Sequence, residues 1–330
     1  MDNCMDEILR AMRKREHQYK VPNYIDSPLP PTLKGRKVVD EKCRRQMCEW
    51  SYQITAHCGF GKETASIAMN LLDRFLAATP WALTDMSAFQ LASITALYTS
   101  IKIHESQAIA VESMVMLSRN VYTEEQIEAM ERMMLETTKW LVNPPTATAF
   151  GWRMAKMFSA MDEKRFPFET LLDLINVQLE AAVKHFSVCT MAQSLLAVGA
   201  VMNALESLGM TCPIEQRQTL GNLCNVLEIT DTGMEYMDAV RNQLYENMSG
   251  VVTPTKIAAA PAAAAVSDDE FDHSEDGCSS IAPMHDEDST AIDIRPTSPN
   301  SVSAVHAASH QHKLQRRHPS QVLPAGVCRQ

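Results

Sequence analysis

The chain has 330 residues, with 40 Asp and Glu against 30 Lys and Arg, for a formal net charge of -10, which excludes a general nucleic-acid binder. Gly is scarce (11) and Met abundant (21), a balance that suits helices and argues against a β-rich fold. The acidic start, Met1 to Asp6, lacks the basic and apolar regions of a signal peptide. The longest apolar runs, 195–202 and 257–266, are far short of the ~20 residues that cross a bilayer. These features lead us to expect a soluble intracellular protein, nuclear or cytoplasmic, with neither nucleic acid nor membrane as a partner.

Residues 3–19 read as an amphipathic helix, with Met5, Ile8, Leu9 and Met12 on one face and Arg13, Lys14 and Arg15 on the other. Val21 to Thr32 carries prolines at 22, 28, 30 and 31, which fix φ and remove backbone donors, so regular structure is excluded there. This segment is expected to be a linker that folds the first helix back onto the main body. A second helical pattern covers 40–57. Cys58-Gly59-Phe60-Gly61 then reads as a turn, because Gly59 to Lys62 lacks the full G-x-x-x-x-G-K-[ST] spacing of a phosphate loop.

The segment Lys62 to Leu76 has no Gly or Pro and is apolar almost all round through Ile67, Ala68, Met69, Leu71, Leu72, Phe75 and Leu76. Such a helix is expected to be buried at the centre of the fold. One narrow polar seam runs along it: Ser66, Asn70 and Asp73, at i, i+4 and i+7. A carboxylate there is costly unless a cation pairs with it. The spacing next predicts helices over 86–102, opened by Thr84-Asp85, and over roughly 106–117. Thr123-Glu-Glu-Gln126 is a capping box opening a fifth helix that ends near Leu141.

Five further helical segments follow, over 146–161, 167–186, 191–208, 213–227 and 232–248. Two sets of five suggest a duplicated all-helical module. Residues 251–330 hold no Trp or Tyr, one Phe and two Leu, and seven of the sixteen prolines; a disordered acidic tail is expected. The nine cysteines form no CxxC pair and read as small buried apolar residues. No metal site, cofactor or catalytic residue is expected, so the chain is read as a non-enzyme.

Several motifs occur in register: Arg44-x-x-Met47-Cys48-Glu49-Trp50, Asn70-Leu-Leu-Asp-Arg-Phe-Leu76, Gln90-Leu91 through Ser100-Ile-Lys102-Ile-His-Glu105, Tyr122-Thr123 through Leu135, and Pro145-Thr146 through Phe150. Together they resemble the cyclin box, and the second helical set is similar to the weaker C-terminal cyclin fold. The resemblance implies an all-α chain. An N-terminal helix and linker (1–34) would precede tandem five-helix cyclin folds (35–144 and 145–250) and a tail (251–330).

It further implies a regulatory subunit that binds and activates a cyclin-dependent Ser/Thr kinase in cell-cycle control. Arg44 and Asp73 would form the family's structural ion pair, supplying the missing cation. Lys102 and Glu131 would grip the kinase, with Ile101, Ile103 and Met134 as apolar neighbours. The family's substrate-docking patch corresponds to Cys43, Gln46, Met47, Trp50, Gln53 and Gln90, weakened because Cys43 and Gln46 replace apolar anchors. Glu7-Ile-Leu-Arg-Ala-Met12 before a proline-rich stretch looks like the short N-terminal helix of D-type cyclins, so a G1/S D-type-like subtype is favoured, although Leu-x-Cys-x-Glu is absent. A transcription-type cyclin or a cyclin-fold transcription factor are the alternatives. Ser27, Thr253, Ser267 and Ser298 are candidate phosphosites, and the tail is expected to engage a ubiquitin ligase. Kinase substrates are further candidate partners.

Overall fold

A computed structural model describes residues 3–33, 37–107, 109–229 and 236–248, all within one compact unit, Met1–Ser289. Among the described residues the regular structure is entirely helical: α1 (Asn3–Glu16), α2 (Glu41–Cys58), α3 (Lys62–Ala78), α4 (Met86–His104), α5 (Val111–Leu117), α6 (Glu124–Thr137), α7 (Ala147–Met161), α8 (Phe168–Val183), α9 (Phe186–Cys189), α10 (Gln193–Ser207), α11 (Pro213–Val226) and α12 (Met237–Met248). No described helix is long and apolar enough to cross a membrane.

Local chemistry sets several of the boundaries. Asp40 accepts from the Cys43 N–H to open α2, and Gly59 closes it at φ 70°, a left-handed conformation that costs glycine little. Asp85 accepts from Ser87 and Ala88 at the start of α4. Thr123 and Gln126 form the reciprocal capping box of α6. Helix α3 opens at Gly61 without a side-chain cap of its own. Glu105, from the far end of α4, supplies it: its carboxylate accepts from the Gly61 N–H at 3.0 Å and from the Thr64 hydroxyl.

The helices form two packed groups. In the first, α3 lies against α2 and α4, and α4 against α6. In the second, α10 is surrounded by α7, α8 and α12. Helix α3 also touches α8, joining the groups. The small residues in the second group allow close approach: a methyl built on Gly199 would sit 2.9 Å from Val240 Cγ1, and one on Gly151 would sit 2.7 Å from Ile175 Cγ2. Helix α1 packs on α7 and α11, with Leu9 fully buried in the second core. Glu16 locks it there, accepting from the Ser194 N–H at 3.0 Å and the Ser194 hydroxyl at 2.8 Å where α10 begins.

Several expected boundaries shift; the helix expected over 3–19, for one, ends at Glu16 and gives way to a 3-10 turn at His17–Tyr19. The helix expected over 106–117 begins only at Val111, because Glu105 is extended and tied to α3. The one expected to end near Leu141 stops at Thr137; Lys139 and Trp140 turn left-handed at φ 55° and 58°. The one expected over 167–186 ends at Val183, whose carbonyl accepts from Arg44 Nη1 at 2.9 Å. Residues 232–235 of the last expected helix and the whole expected tail lie outside the described residues.

Candidate partner-docking site

The polar seam of α3 is partnered at every position. Ser66 meets the Tyr52 hydroxyl at 2.8 Å, and Asn70 donates to the Tyr19 carbonyl at 3.1 Å. Asp73 receives a two-pronged guanidinium contact: Arg44 Nε to Oδ1 and Nη2 to Oδ2, both at 2.8 Å. Their side chains are 0% and 1% exposed. The remaining Arg44 donors reach the Val183 carbonyl and the Cys189 sulfur. Tyr24 donates its hydroxyl to Asp73 Oδ1 at 2.8 Å, and its ring packs edge-on against Phe186.

This cluster therefore binds the linker, α2, α3 and the α8–α9 turn together. Burial works against the Arg44 charge, but Asp73, Cys189 and Tyr24 around it hold its pKa well above the ordinary value. Burial, then the Asp73 charge, pushes the Tyr24 hydroxyl well up. Burial likewise raises the Cys48 and Cys189 thiols to about 12, so both are protonated packing groups at neutral pH.

Sequence reasoning missed Tyr24 and Cys189 as partners. Tyr24 stands in a proline-rich stretch with no periodicity to orient it. Cys189 follows a helix end that the apolar pattern runs straight through. It also missed Arg74, which is nearly buried beside Asp73. Arg74 donates to Asn70 Oδ1 at 2.9 Å and to the Leu141 carbonyl at 2.6 Å, and lies 4.9 Å over the Tyr19 ring. Burial lowers its pKa to about 10.

On the surface, the last turn of α4 meets α6. Lys102 Nζ lies 2.8 Å from Glu131 Oε2, with side chains 45% and 12% exposed. Thr99 donates to the other carboxylate oxygen at 3.2 Å, and the ammonium sits 5.1 Å over the Tyr98 ring. Partial burial opposes the ammonium, but the bond and charge of Glu131 outweigh it and raise the Lys102 pKa.

The expected apolar neighbours need correction. Ile101 and Met134 are fully buried core residues and cannot touch a partner; Ile103 is exposed. On α6 it is Met133 that faces solvent. The two methionines are adjacent, and one step along a helix turns the side chain by about 100°.

The second helical group repeats this constellation with the charges exchanged. Glu206 of α10 pairs with Arg241 of α12, their side chains 44% and 18% exposed. Asn203, three residues before Glu206, accepts from Arg241 Nε at 2.8 Å.

The other expected site residues scatter. In the proposed docking patch Gln46 and Gln53 are exposed, Cys43 and Gln90 half-buried, and Met47 and Trp50 buried. The Tyr122 hydroxyl donates to Gln90 at 3.3 Å. Ser27 is exposed on the linker, whereas Thr253, Ser267 and Ser298 lie outside the described residues.

Residues 7–143 match the family described as Cyclin, N-terminal domain. Cyclin-B1-1 of Arabidopsis thaliana is 30% identical over 207 residues, covering 62% of this chain and 46% of that protein. The G2/mitotic-specific cyclin-B2 of Rana japonica is 26% identical over 200 residues, covering 59% of this chain and 48% of that protein. The chain thus spans about half the length of the curated relatives it matches. A viral cyclin from herpesvirus saimiri shares the fold, with a TM-score of 0.56 at 17% identity, covering 73% of this chain and 97% of the solved one. The Arabidopsis and Rana relatives are named as B-type cyclins, so the D-type subtype read from Glu7 to Met12 finds no support in them. The likeness to the cyclin N-terminal domain family thus spans residues 7–143, about two fifths of the chain.

Proposed function

We propose that this chain is a non-catalytic regulatory subunit that binds and activates a cyclin-dependent Ser/Thr kinase. The observation that carries the reading is the Lys102–Glu131 pair, half-exposed where α4 ends against α6, at the positions the cyclin resemblance assigns to the kinase grip. Behind it, the buried Arg44–Asp73 contact holds α2 against α3, which packs directly on α4. The grip therefore stands on a rigid base.

The mechanism is a population shift. An isolated kinase of this class keeps its αC helix displaced, so its catalytic Lys–Glu pair is open. A subunit that binds the in-position more tightly draws the kinase there. Moving the active form from rare to dominant takes ~5.5 kcal/mol of differential binding. Lys102, Glu131 and the exposed Ile103 and Met133 are the groups we assign to that contact.

The named relatives favour a B-type, mitotic role over the D-type reading. We assign two cyclin folds, 35–144 and 145–250, acting in the nucleus or cytoplasm. Capture on the immobilised chain, followed by identification of the bound proteins, tests the reading: a Ser/Thr kinase retained by the native chain supports it, and its absence from the retained fraction refutes it.

The tail is proposed as a degradation signal read by a ubiquitin ligase. Ser267-Asp-Asp-Glu and Thr297-Ser298-Pro299 are acidic or proline-directed sites, and phosphate would add about -1.5 to -2 charge at each. Truncation after Gly250 is expected to lengthen cellular half-life in a translation-block chase; equal decay of the full and truncated chains would contradict this.

A further inference from the structure

The linker between α1 and α2 has no helix in its proline-rich part, yet it is fastened closely. Asn23 forms a local turn: its Oδ1 accepts from the Asp26 N–H at 3.1 Å and its Nδ2 donates to the Asp26 carboxylate at 2.9 Å. The Ser27 hydroxyl donates to the Asn23 carbonyl. Lys37 then gathers the segment from the other side. Its ammonium donates to the carbonyls of Tyr24 at 2.9 Å, Ile25 at 2.7 Å and Ser27 at 2.6 Å. All three ammonium hydrogens are thereby engaged by neutral acceptors. Beside this hub lies a cavity of about 200 Å³ lined by Tyr24, Ser27, Pro28, Lys37, Leu76 and Leu83 among others.

Among the described residues, two hydroxyls precede a proline: Ser27 before Pro28 and Thr79 before Pro80. Thr79 is buried, and its hydroxyl is bonded to the Phe75 carbonyl at 2.6 Å. Ser27 and Pro28 are both exposed. A proline-directed kinase could reach only the first of them.

We propose that Ser27 is a phosphorylation site whose phosphate is received by Lys37. The donor is a nucleoside triphosphate and the catalyst a proline-directed protein kinase. Ser27 Oγ forms a bond to the terminal phosphorus as the bond from that phosphorus to the bridging oxygen breaks. The hydroxyl proton passes to the kinase's base, and the nucleoside diphosphate leaves. The esterified oxygen has no hydrogen, so the bond to the Asn23 carbonyl is lost.

The phosphate carries about -1.5 to -2 charge, and a charge-assisted bond is roughly twice as strong as a neutral one. Lys37 already touches the carbonyl of the same residue, so the phosphate is within its reach. It gives up a carbonyl for the anion. The Asp26 carboxylate next door repels the phosphate, which leaves the attraction to the Lys37 ammonium to hold it. The effect reaches the core, because Lys37 holds the backbone of Tyr24, and Tyr24 holds Asp73.

The test uses the full chain with Thr253→Ala and Ser298→Ala, phosphorylated by a purified proline-directed kinase and mapped by mass spectrometry. A peptide spanning 20–33 is treated in parallel. The phosphorus resonance of phospho-Ser27 is expected to titrate about half a pH unit or more lower in the folded chain than in the peptide, because a cation favours the dianion. Lys37→Met should return the titration to the peptide value, and Lys37→Arg should keep it low. Should the Met variant fail to fold, the native and Arg chains against the peptide still decide. Phosphate incorporated in the peptide but not at Ser27 of the folded chain would overturn the proposal, as would a folded-chain titration that matches the peptide.

Discussion

Asp73→Asn is expected to destabilise the fold by ~3–5 kcal/mol, the cost of leaving a buried charge without its partner. At this size each kcal/mol lowers the melting temperature by about 2–4 °C, so the midpoint should fall by ~6–20 °C. The geometry explains why the loss is large. Arg44 is fully enclosed and directs two donors at Asp73; an amide cannot accept from both and also offers hydrogens toward the guanidinium. Tyr24 loses strength in its acceptor at the same time. Replacing both partners, as Arg44→Leu with Asp73→Leu, should recover part of the loss, since no charge is stranded. Recovery stays partial because the Val183 carbonyl and the Tyr24 hydroxyl then lack Arg44 and Asp73. A thermal or urea melt reads the result, and an Asp73→Asn chain that melts with the parent would mean that the cluster does not hold the fold.

The second large effect concerns the surface. Lys102→Ala with Glu131→Ala is expected to leave the helical circular-dichroism signal and melting temperature nearly unchanged, because a half-exposed pair contributes ~1 kcal/mol or less to stability. Kinase affinity should fall by ~100-fold or more, since hydrogen bonds to charged groups are worth ~1.5–3 kcal/mol each. The pH sign supports a comparison at neutral pH. The Lys102 pKa is raised above its ordinary 10.5, so the pair's contribution to folding is complete below that value and is lost only as pH rises through the folded value. Calorimetric titration of kinase into the double variant gives the number, and unchanged affinity would remove these residues from the grip.

Much of this architecture is legible in the residues themselves. Helix α3 stands out by being apolar all round, and the cost of burying Asp73 demands a cation, which the cyclin-box register supplies as Arg44. The capping box at Thr123 and the cap at Asp85 are local signals that packing does not override. The features that sequence reasoning missed depend on contacts between distant segments. Glu105 ends α4 because it caps α3, and nothing in the residues around 105 reveals a partner 44 positions back. Ile101 and Met134 look like neighbours of the grip because they lie one and three residues from Lys102 and Glu131, whereas both are fully buried in the core. Arg74 follows the seam aspartate and reads as surface charge; it is held by a carbonyl from the segment after α6, where the expected helix had not yet ended.

The most direct test of the central claim is reconstitution. A purified cyclin-dependent kinase captured by the chain is assayed for phosphoryl transfer while the chain is titrated in. The account predicts negligible transfer by either protein alone and a rise to a plateau at one chain per kinase, roughly 100-fold if the active form goes from about 1% to nearly all. The Lys102→Ala, Glu131→Ala chain should shift that curve to much higher concentration. A native chain that binds the kinase yet leaves its rate unchanged would contradict the account.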